Sequence, residues 1–360
     1  MFKNMCIRKG SMKKYNLVII GFGGMGSQHY QLLKDHNLIE VTGVCDINLD
    51  RCNEAKAFGL SIYESYESVL SDTTVDAILI ATPNHIHKEI AIAALNHKKH
   101  VICEKPVTLN TKELEEILDV QKRTGYVFMV HQNRRWDEDF LTIKKIYDTK
   151  QLGELYHVEQ RVFGSRGIPG DWRKYKEYGG GMLLDWGVHM IDRLLVMIPY
   201  KIKTVDCHLS FSLQEEVDDG YHLRVTFENG STAICEVGTT NLISLPKWYV
   251  TFSKGTAVIE DWHMNGKIVG LKNVGNHDAR PIVAGAGLTK TMAPRMDDST
   301  ITLPLDKVYK DHKEFYSNFI DVIENNAEPF VKNHEVLRVM KLIDVAFLSD
   351  KLNQRIEFEK

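Results

Sequence analysis

The sequence has no large excess of charge of either sign, no long apolar run and no paired cysteines, and each absence narrows what the chain can be. Its 45 lysines and arginines against 48 aspartates and glutamates leave a formal net charge of −3, which gives no general pull toward nucleic acid or an anionic membrane. No apolar stretch approaches the roughly 20 residues that a membrane-spanning helix needs. The opening residues, MFKNMCIRKGSMKKYN, are basic but lack an apolar core of signal-peptide length before Leu17. Export is therefore not expected and a cytoplasmic location is, with Met12 as a candidate natural start. The six cysteines, Cys6, Cys45, Cys52, Cys103, Cys207 and Cys235, form no C-x-x-C pair and read as reduced thiols, three of them in strand-like surroundings. The fifteen histidines show neither H-E-x-x-H nor zinc-finger spacing, so no metal is expected. Pro-rich and Ser-rich linkers are missing too.

What is present is an ordinary globular composition, 43% hydrophobic and 26% charged over 360 residues, too long for one average core and suited to two domains. From Asn16 the chain reads NLVIIGFGGMGSQHYQLLKDH: a β-branched run, a glycine turn, then a helical pattern. Gly21, Gly23 and Gly26 fit G-x-G-x-x-G, in which the first allows the tight turn, the second admits a pyrophosphate to the backbone and the third permits close packing. Phe22, Gly24 and Met25 complete that turn as candidate cofactor contacts, and the new helix points its free N–H groups at the phosphates. A second strand, IEVTGVCD, ends on Asp46, 20 positions after Gly26 (46 − 26 = 20). An acid there accepts hydrogen bonds from a ribose 2′-hydroxyl and repels a 2′-phosphate. No arginine follows it directly, although Arg51 lies further along, so NAD is expected over NADP.

Alternation then continues: VDAILIA, HVIC and YVFMV as strands, HIHKEIAIAAL and TKELEEILDVQKRTG as helices, the latter opened by Asn110 or Thr111. Strands alternating with helices predict an α/β fold with a doubly wound parallel sheet over residues 13–131, whose ligands bind beyond the carboxyl ends of the strands. Two stretches at such ends matter most, ATPNHIH (81–87) and CEKPV (103–107). Parallel alternation stops near residue 132. Beyond it, LYHVEQRVF, YHLRVTF and STAICEV read as strands around an Asn229-Gly230 hairpin signal, and a turn at Lys254-Gly255 joins WYVTFS to TAVIED. KEFYSNFIDVIENN and EVLRVMKLIDVAFLSDKL have helical periodicity, and RIEFE reads as a last strand. Residues 132–360 are thus expected to form a second α/β domain with a largely antiparallel, open sheet.

Residues 179–190, GGGMLLDWGVHM, raise a separate question. Read as a helix after the Gly179-Gly180-Gly181 run, the segment puts Asp185 and His189 on one face, at the margin of an apolar stripe of Leu184, Val188, Ile191 and Leu195. Two readings stand: the pair borders a cleft, or it is exposed and offers weak i,i+4 support. The glycines either let the helix start approach a ligand or relieve packing.

GFGGMG, ATPNHIH, EKP at 104–106, NRRW at 133–136, GDWR at 170–173 and GGGMLLDWGVHMID occur in an order and at separations that resemble the glucose–fructose oxidoreductase, inositol dehydrogenase and MocA-like family of NAD(P)-dependent enzymes. The resemblance covers most of the chain. It implies a Rossmann domain followed by a sheet domain that builds oligomer contacts, so a homodimer or homotetramer is expected. It also implies hydride transfer between nicotinamide and a secondary alcohol of a sugar, glycoside or cyclitol. Two alternatives are transient oxidation followed by glycosidic bond cleavage, and a dinucleotide-sensing regulator without turnover.

Residue roles follow from chemistry and resemblance together. The Lys105 ammonium can stabilise an alkoxide as hydride leaves, the role of the lysine in this family's E-K-P motif; otherwise it is a solvated lysine at a sheet edge. His189 can take the hydroxyl proton, and Asp185 can orient that ring or hold a substrate hydroxyl. The resemblance places Glu104 at the nicotinamide ribose, Thr82, Pro83 and Asn84 along the cofactor edge, and Trp172 and Arg173 near the cofactor. His87 is a candidate contact that can equally cap or pack its helix. Asn133 and Arg134 are polar candidates at the domain junction, Asn133 for cofactor and Arg134 for substrate, while Trp136 and Trp186 can stack on a sugar ring or pack in the core.

Overall fold

Six short runs in the first part of the chain pair into one parallel sheet: β1 (Tyr15–Ile20), β2 (Ile39–Cys45), β3 (Ser61–Tyr63), β4 (Ala77–Ile80), β5 (His100–Cys103) and β6 (Phe128–Val130). Their order is β3-β2-β1-β4-β5-β6, every neighbour parallel. The structure is a computed structural model and describes residues 14–272, 281–293, 295 and 299–358; Cys6 and Met12 lie outside them. The strands are nearly continuous apolar sequence because helices cover both faces of such a sheet. Those helices are α1 (Gly24–Leu33), α2 (Leu49–Ala57), α3 (Tyr66–Ser71), α4 (His87–Asn96) and α5 (Thr111–Thr124). Asn110 opens α5, its side chain accepting the Glu113 N–H at 3.0 Å, and Gly125 closes it in the left-handed region. Strand order reverses between β1 and β4, where doubly wound sheets bind ligands, so residues 21–26 and 81–84 flank that crevice.

The described chain forms two compact units, one running to Gln132 and including Asp311–Leu337, the other comprising Asn133–Lys310 and Arg338–Lys360. A single boundary at 131/132 therefore misplaces residues 311–337. Their helix α8 (Lys313–Asn325) buries Phe315, Tyr316 and Phe319, whose rings meet His131 at 4.8 Å, His29 at 6.0 Å and His100 at 6.5 Å, all in the first unit.

In the second unit, nine strands form a sheet in the order β16-β13-β12-β11-β7-β10-β9-β8-β17. These are β7 (Leu155–Phe163), β8 (Ile202–Ser210), β9 (Gly220–Phe227), β10 (Thr232–Gly238), β11 (Trp248–Phe252), β12 (Gly255–Ile259), β13 (Gly266–Leu271), β16 (Thr300–Leu303) and β17 (Ile356–Glu357). A separate hairpin pairs β14 (Ile282–Ala284) with β15 (Gly287–Thr289). Among the described residues only β7 and β10 pair in parallel in the large sheet; the rest is antiparallel, as the alternating sequences predict. The β9–β10 hairpin turns at Asn229-Gly230, with Gly230 at φ 87°. Helices α6 (Glu138–Asp148), α7 (Val188–Met197) and α9 (Asn333–Leu352) complete the chain.

Candidate active site

The glycine turn after β1 has the geometry its pattern predicts. Gly21 sits at φ 90°, and a Cβ there would lie 2.6 Å from the Ala81 carbonyl oxygen; a Cβ at Gly26 would run into the Gly21 carbonyl. Side chains at Gly23 or Gly24, in contrast, would meet nothing within 4 Å. The N-terminus of α1 thus faces open space, with no side-chain cap and no acid in its first turn, a combination suited to phosphate. Asp46 lies beside the turn: Oδ2 accepts the Phe22 N–H at 2.5 Å and Oδ1 the Asn48 N–H at 2.7 Å, leaving lone pairs for a ribose hydroxyl. Next to it Ile47 is fully exposed at 103%, an apolar surface that carries no sequence motif. Arg51 is engaged by Glu54 at 3.0 Å.

After β4, the Thr82 hydroxyl oxygen is buried and has no hydrogen-bond partner among the described residues, and neither do both side-chain polar atoms of Gln132, a residue without a motif to mark it. Buried polar atoms normally have partners, so these orphans fit a ligand bound there. Pro83 and Asn84 follow on a short turn. His87 is wholly buried, its ring nitrogens 2.9 Å from the Thr82 carbonyl and 3.0 Å from the Pro106 carbonyl. Its geometry is that of a strut between the two strand-end loops, the packing role that the sequence also allowed. Burial pushes its pKa down, against the two carbonyls.

Lys105 follows β5 and forms a cis peptide bond with Pro106. Glu104 before it is buried and accepts from His29 Nε2 at 2.8 Å, His131 Nδ1 at 2.7 Å and the Lys105 N–H at 3.1 Å. The facing atoms of His29, Glu104 and His131 lie within 4.8 Å of one another, a grouping of metal-ligand types that sequence spacing did not reveal.

In the second unit, Asn133, Arg134 and Trp136 share a short 3-10 turn with Arg135. The Asn133 Oδ1 is buried without a partner among the described residues, Trp136 is buried, and Arg134 pairs with Asp137 at 2.9 Å while its guanidinium lies 4.3 Å from the Trp186 ring centre. Arg135 grips Asp192 through two bonds of 2.8 and 2.6 Å, fixing α7 one turn beyond His189. The segment before α7 differs from a plain helix: Leu183–Gly187 is a π-helical turn, which then passes into α7. Such turns recur at functional sites. Asp185 is only 7% exposed and His189 only 4%, so the exposed surface pair is excluded. Arg173 reaches the Asp185 carboxylate at 3.2 Å and stacks over Trp172 at 4.5 Å. The Trp186 ring lies 5.9 Å from His189 and 6.0 Å from Trp262; Trp262 had no sequence signal.

The glycine run has a packing explanation. Gly181 stands at φ 100°, and a Cβ there would strike the Asp218 carboxylate. Asp218 closes the N-terminus of the π turn: its Oδ2 accepts the Leu183 N–H at 2.7 Å and its backbone oxygen the Met182 N–H at 3.0 Å. Burial pushes the Asp218 pKa up to about 7, with Asp219 adding to the shift and the Leu183 N–H opposing it.

Comparison with known proteins agrees with this geometry. Residues 15–132 match a family model described as an oxidoreductase family with an NAD-binding Rossmann fold, and residues 140–258 match the GFO/IDH/MocA C-terminal domain. A crystal structure of an NAD-binding protein from Listeria innocua is 52% identical, covers 96% of this chain and all of its own, and superposes with a TM-score of 0.93. Scyllo-inositol 2-dehydrogenase (NADP(+)) of Bacillus subtilis is 25% identical over 95% of both chains. An uncharacterized oxidoreductase of Schizosaccharomyces pombe is 26% identical over 82% of this chain and 85% of its own. Among the described residues no helix is long and apolar enough to cross a membrane.

Replacing Asp46 with alanine is expected to weaken NAD binding by roughly tenfold or more, the range of a lost hydrogen bond to a charged group, and to spare NADP; fluorescence titration showing equal losses for both would refute it. For Asp218, a folded pKa near 7 against an ordinary 3.8 means its favourable share of stability is complete below about pH 4 and disappears as pH rises to 7. Asp218→Asn removes that loss, so melting curves should show variant minus wild-type stability rising across this window. A flat difference contradicts it.

Proposed function

The chain belongs to the NAD-binding GFO/IDH/MocA oxidoreductase family, and on that premise we propose that it moves a hydride between nicotinamide and a secondary alcohol of a cyclitol or sugar. The observation that carries this reading is the buried placement of Asp185 on the π-helical turn and of His189 in the first turn of α7 directly after it, since withdrawing an imidazole and a carboxylate from solvent carries a desolvation cost. The inositol dehydrogenase named among the relatives supports a polyhydroxylated ring as substrate.

In this reading the glycine turn, Asp46, Thr82, Pro83, Asn84 and Glu104 hold the dinucleotide, with Asn133, Trp172 and Arg173 as further contacts. Bound NAD supplies the hydride acceptor. The chain's own part is electrostatic and acid–base: His189 removes the hydroxyl proton, and the Lys105 ammonium stabilises negative charge growing on that oxygen. Asp185, neutralised in part by Arg173, accepts a neighbouring hydroxyl and Arg134 and Trp136 bound the ring. Buried thiols at Cys45, Cys52, Cys103, Cys207 and Cys235 fit a reducing, cytoplasmic setting.

A panel of inositols and sugars followed by nicotinamide absorbance tests the reading, which fails if none turns over. With a substrate in hand, Lys105→Ala should lower kcat by about a hundredfold or more with NAD affinity kept. His189→Ala should lower it by about a hundred- to ten-thousandfold and flatten the pH profile; near-normal turnover would remove His189 from the chemistry. The same reading includes self-association through the open sheet, where Tyr156 and Tyr249 are exposed. Light scattering is expected to give a dimer or tetramer, and a monomer at micromolar concentration would contradict it.

A further inference from the structure

Glu104 is the point where three separate elements of the first unit meet. Its Oε1 faces His29 of α1 and His131 at the end of β6, while its Oε2 takes the backbone N–H of Lys105. The far nitrogen of His29, Nδ1, lies 2.6 Å from the hydroxyl of Tyr316 on α8. All four side chains are withdrawn from water: Glu104 and both histidines are buried, and Tyr316 is too.

With both rings neutral, these contacts allow one placement of protons. A carboxylate offers only acceptors, so His29 must carry its proton on Nε2 and His131 on Nδ1. Nδ1 of His29 is then bare and accepts the Tyr316 O–H. Every polar atom facing the centre is satisfied with one ionised acid and two neutral rings. The electrostatics agree in direction: burial alone would raise the Glu104 pKa, but the two imidazoles bring it well below the usual carboxylate range, while burial pushes His131 down and Tyr316 up. A metal ion at the same three ligand atoms would need bare nitrogens where this arrangement needs N–H groups.

We propose that His29, His131 and Tyr316 are positioning residues that hold Glu104 as a fixed anion, and that Glu104 in turn sets the backbone from which the Lys105 side chain acts. The consequence is a mechanical link between α1, whose N-terminus faces the open phosphate-type cradle, and the strand end that carries Lys105. The inference rests on the proposed role of Lys105 but concerns different atoms, so the two can fail separately.

Donor mimicry separates positioning from packing. Asparagine at 131 keeps an N–H near the place of Nδ1, and glutamine at 29 keeps one near the place of Nε2; leucine at either position keeps bulk and loses the donor. With a substrate from the panel, His131→Asn and His29→Gln are expected to hold kcat within about threefold. His131→Leu and His29→Leu should lower it by roughly tenfold or more, the scale of one hydrogen bond to a charged group, with NAD affinity nearly kept. Equal kcat in mimic and leucine variants, with only melting temperatures changed, would overturn the proposal. Nitrogen-resolved NMR of the imidazoles needs no substrate and keeps the test open if turnover is absent or a leucine variant does not fold. It is expected to show protons on His29 Nε2 and His131 Nδ1, with the His29 signals moving in Tyr316→Phe. A proton on His29 Nδ1 with Nε2 bare, in the protein alone or after adding zinc ion, would overturn the assignment.

Discussion

A carboxylate taken out of water is tolerated only where donors replace the water, and the packing within each unit depends on how that condition is met. Glu104 meets it with two imidazoles and a backbone N–H. Asp192 meets it with the fork of Arg135. Asp139 accepts from Trp248 at 2.8 Å and Lys247 at 2.7 Å; burial alone would raise its pKa, but Arg193 and Lys247 bring it to about 2. Asp218 meets it least completely, through backbone N–H groups and beside a second acid, and its pKa moves the other way. In each case at least one donor comes from an element distant in sequence, so satisfying the acid also fixes those elements against one another.

This constraint divides the labour between the two units. In the first, the candidate ligand face is largely backbone: an open glycine turn, a helix N-terminus without a cap and a strand-end loop, backed by the strut of His87. Backbone groups suit phosphate and ribose, which every dinucleotide shares. In the second, the candidate face is made of side chains, Asp185, His189, Arg134, Trp186 and Trp262, with Arg135 and Asp218 bonded to the helical segment that carries Asp185 and His189.

The sequence was most legible where a local rule sufficed. The parallel sheet, the Asn110 cap, the Asn229-Gly230 hairpin and the role of each glycine at 21, 23 and 26 depend on residues close together in the chain. The candidate lysine and the Asp185/His189 pair were legible because their motifs keep local spacing. Four features were not: the return of residues 311–337 to the first unit, the π-helical turn at Leu183–Gly187, the strut formed by His87, and the grouping of His29, Glu104, His131 and Tyr316. Each depends on what a side chain meets across the fold, for which a linear pattern holds no signal.

By itself, then, the sequence determined the fold class, the dinucleotide turn with Asp46 at its end, and which residue types were available for chemistry, because backbone conformation and periodic burial are set by neighbours within a few residues. Only the tertiary structure decided that Asp185 and His189 are buried, that Gly181 before them packs against Asp218, and that Glu104 is held by His29 and His131, 75 and 27 positions away, with Tyr316 behind His29. Burial and proton placement depend on the atoms that surround a group in space, and those atoms are brought together only when the whole chain has folded.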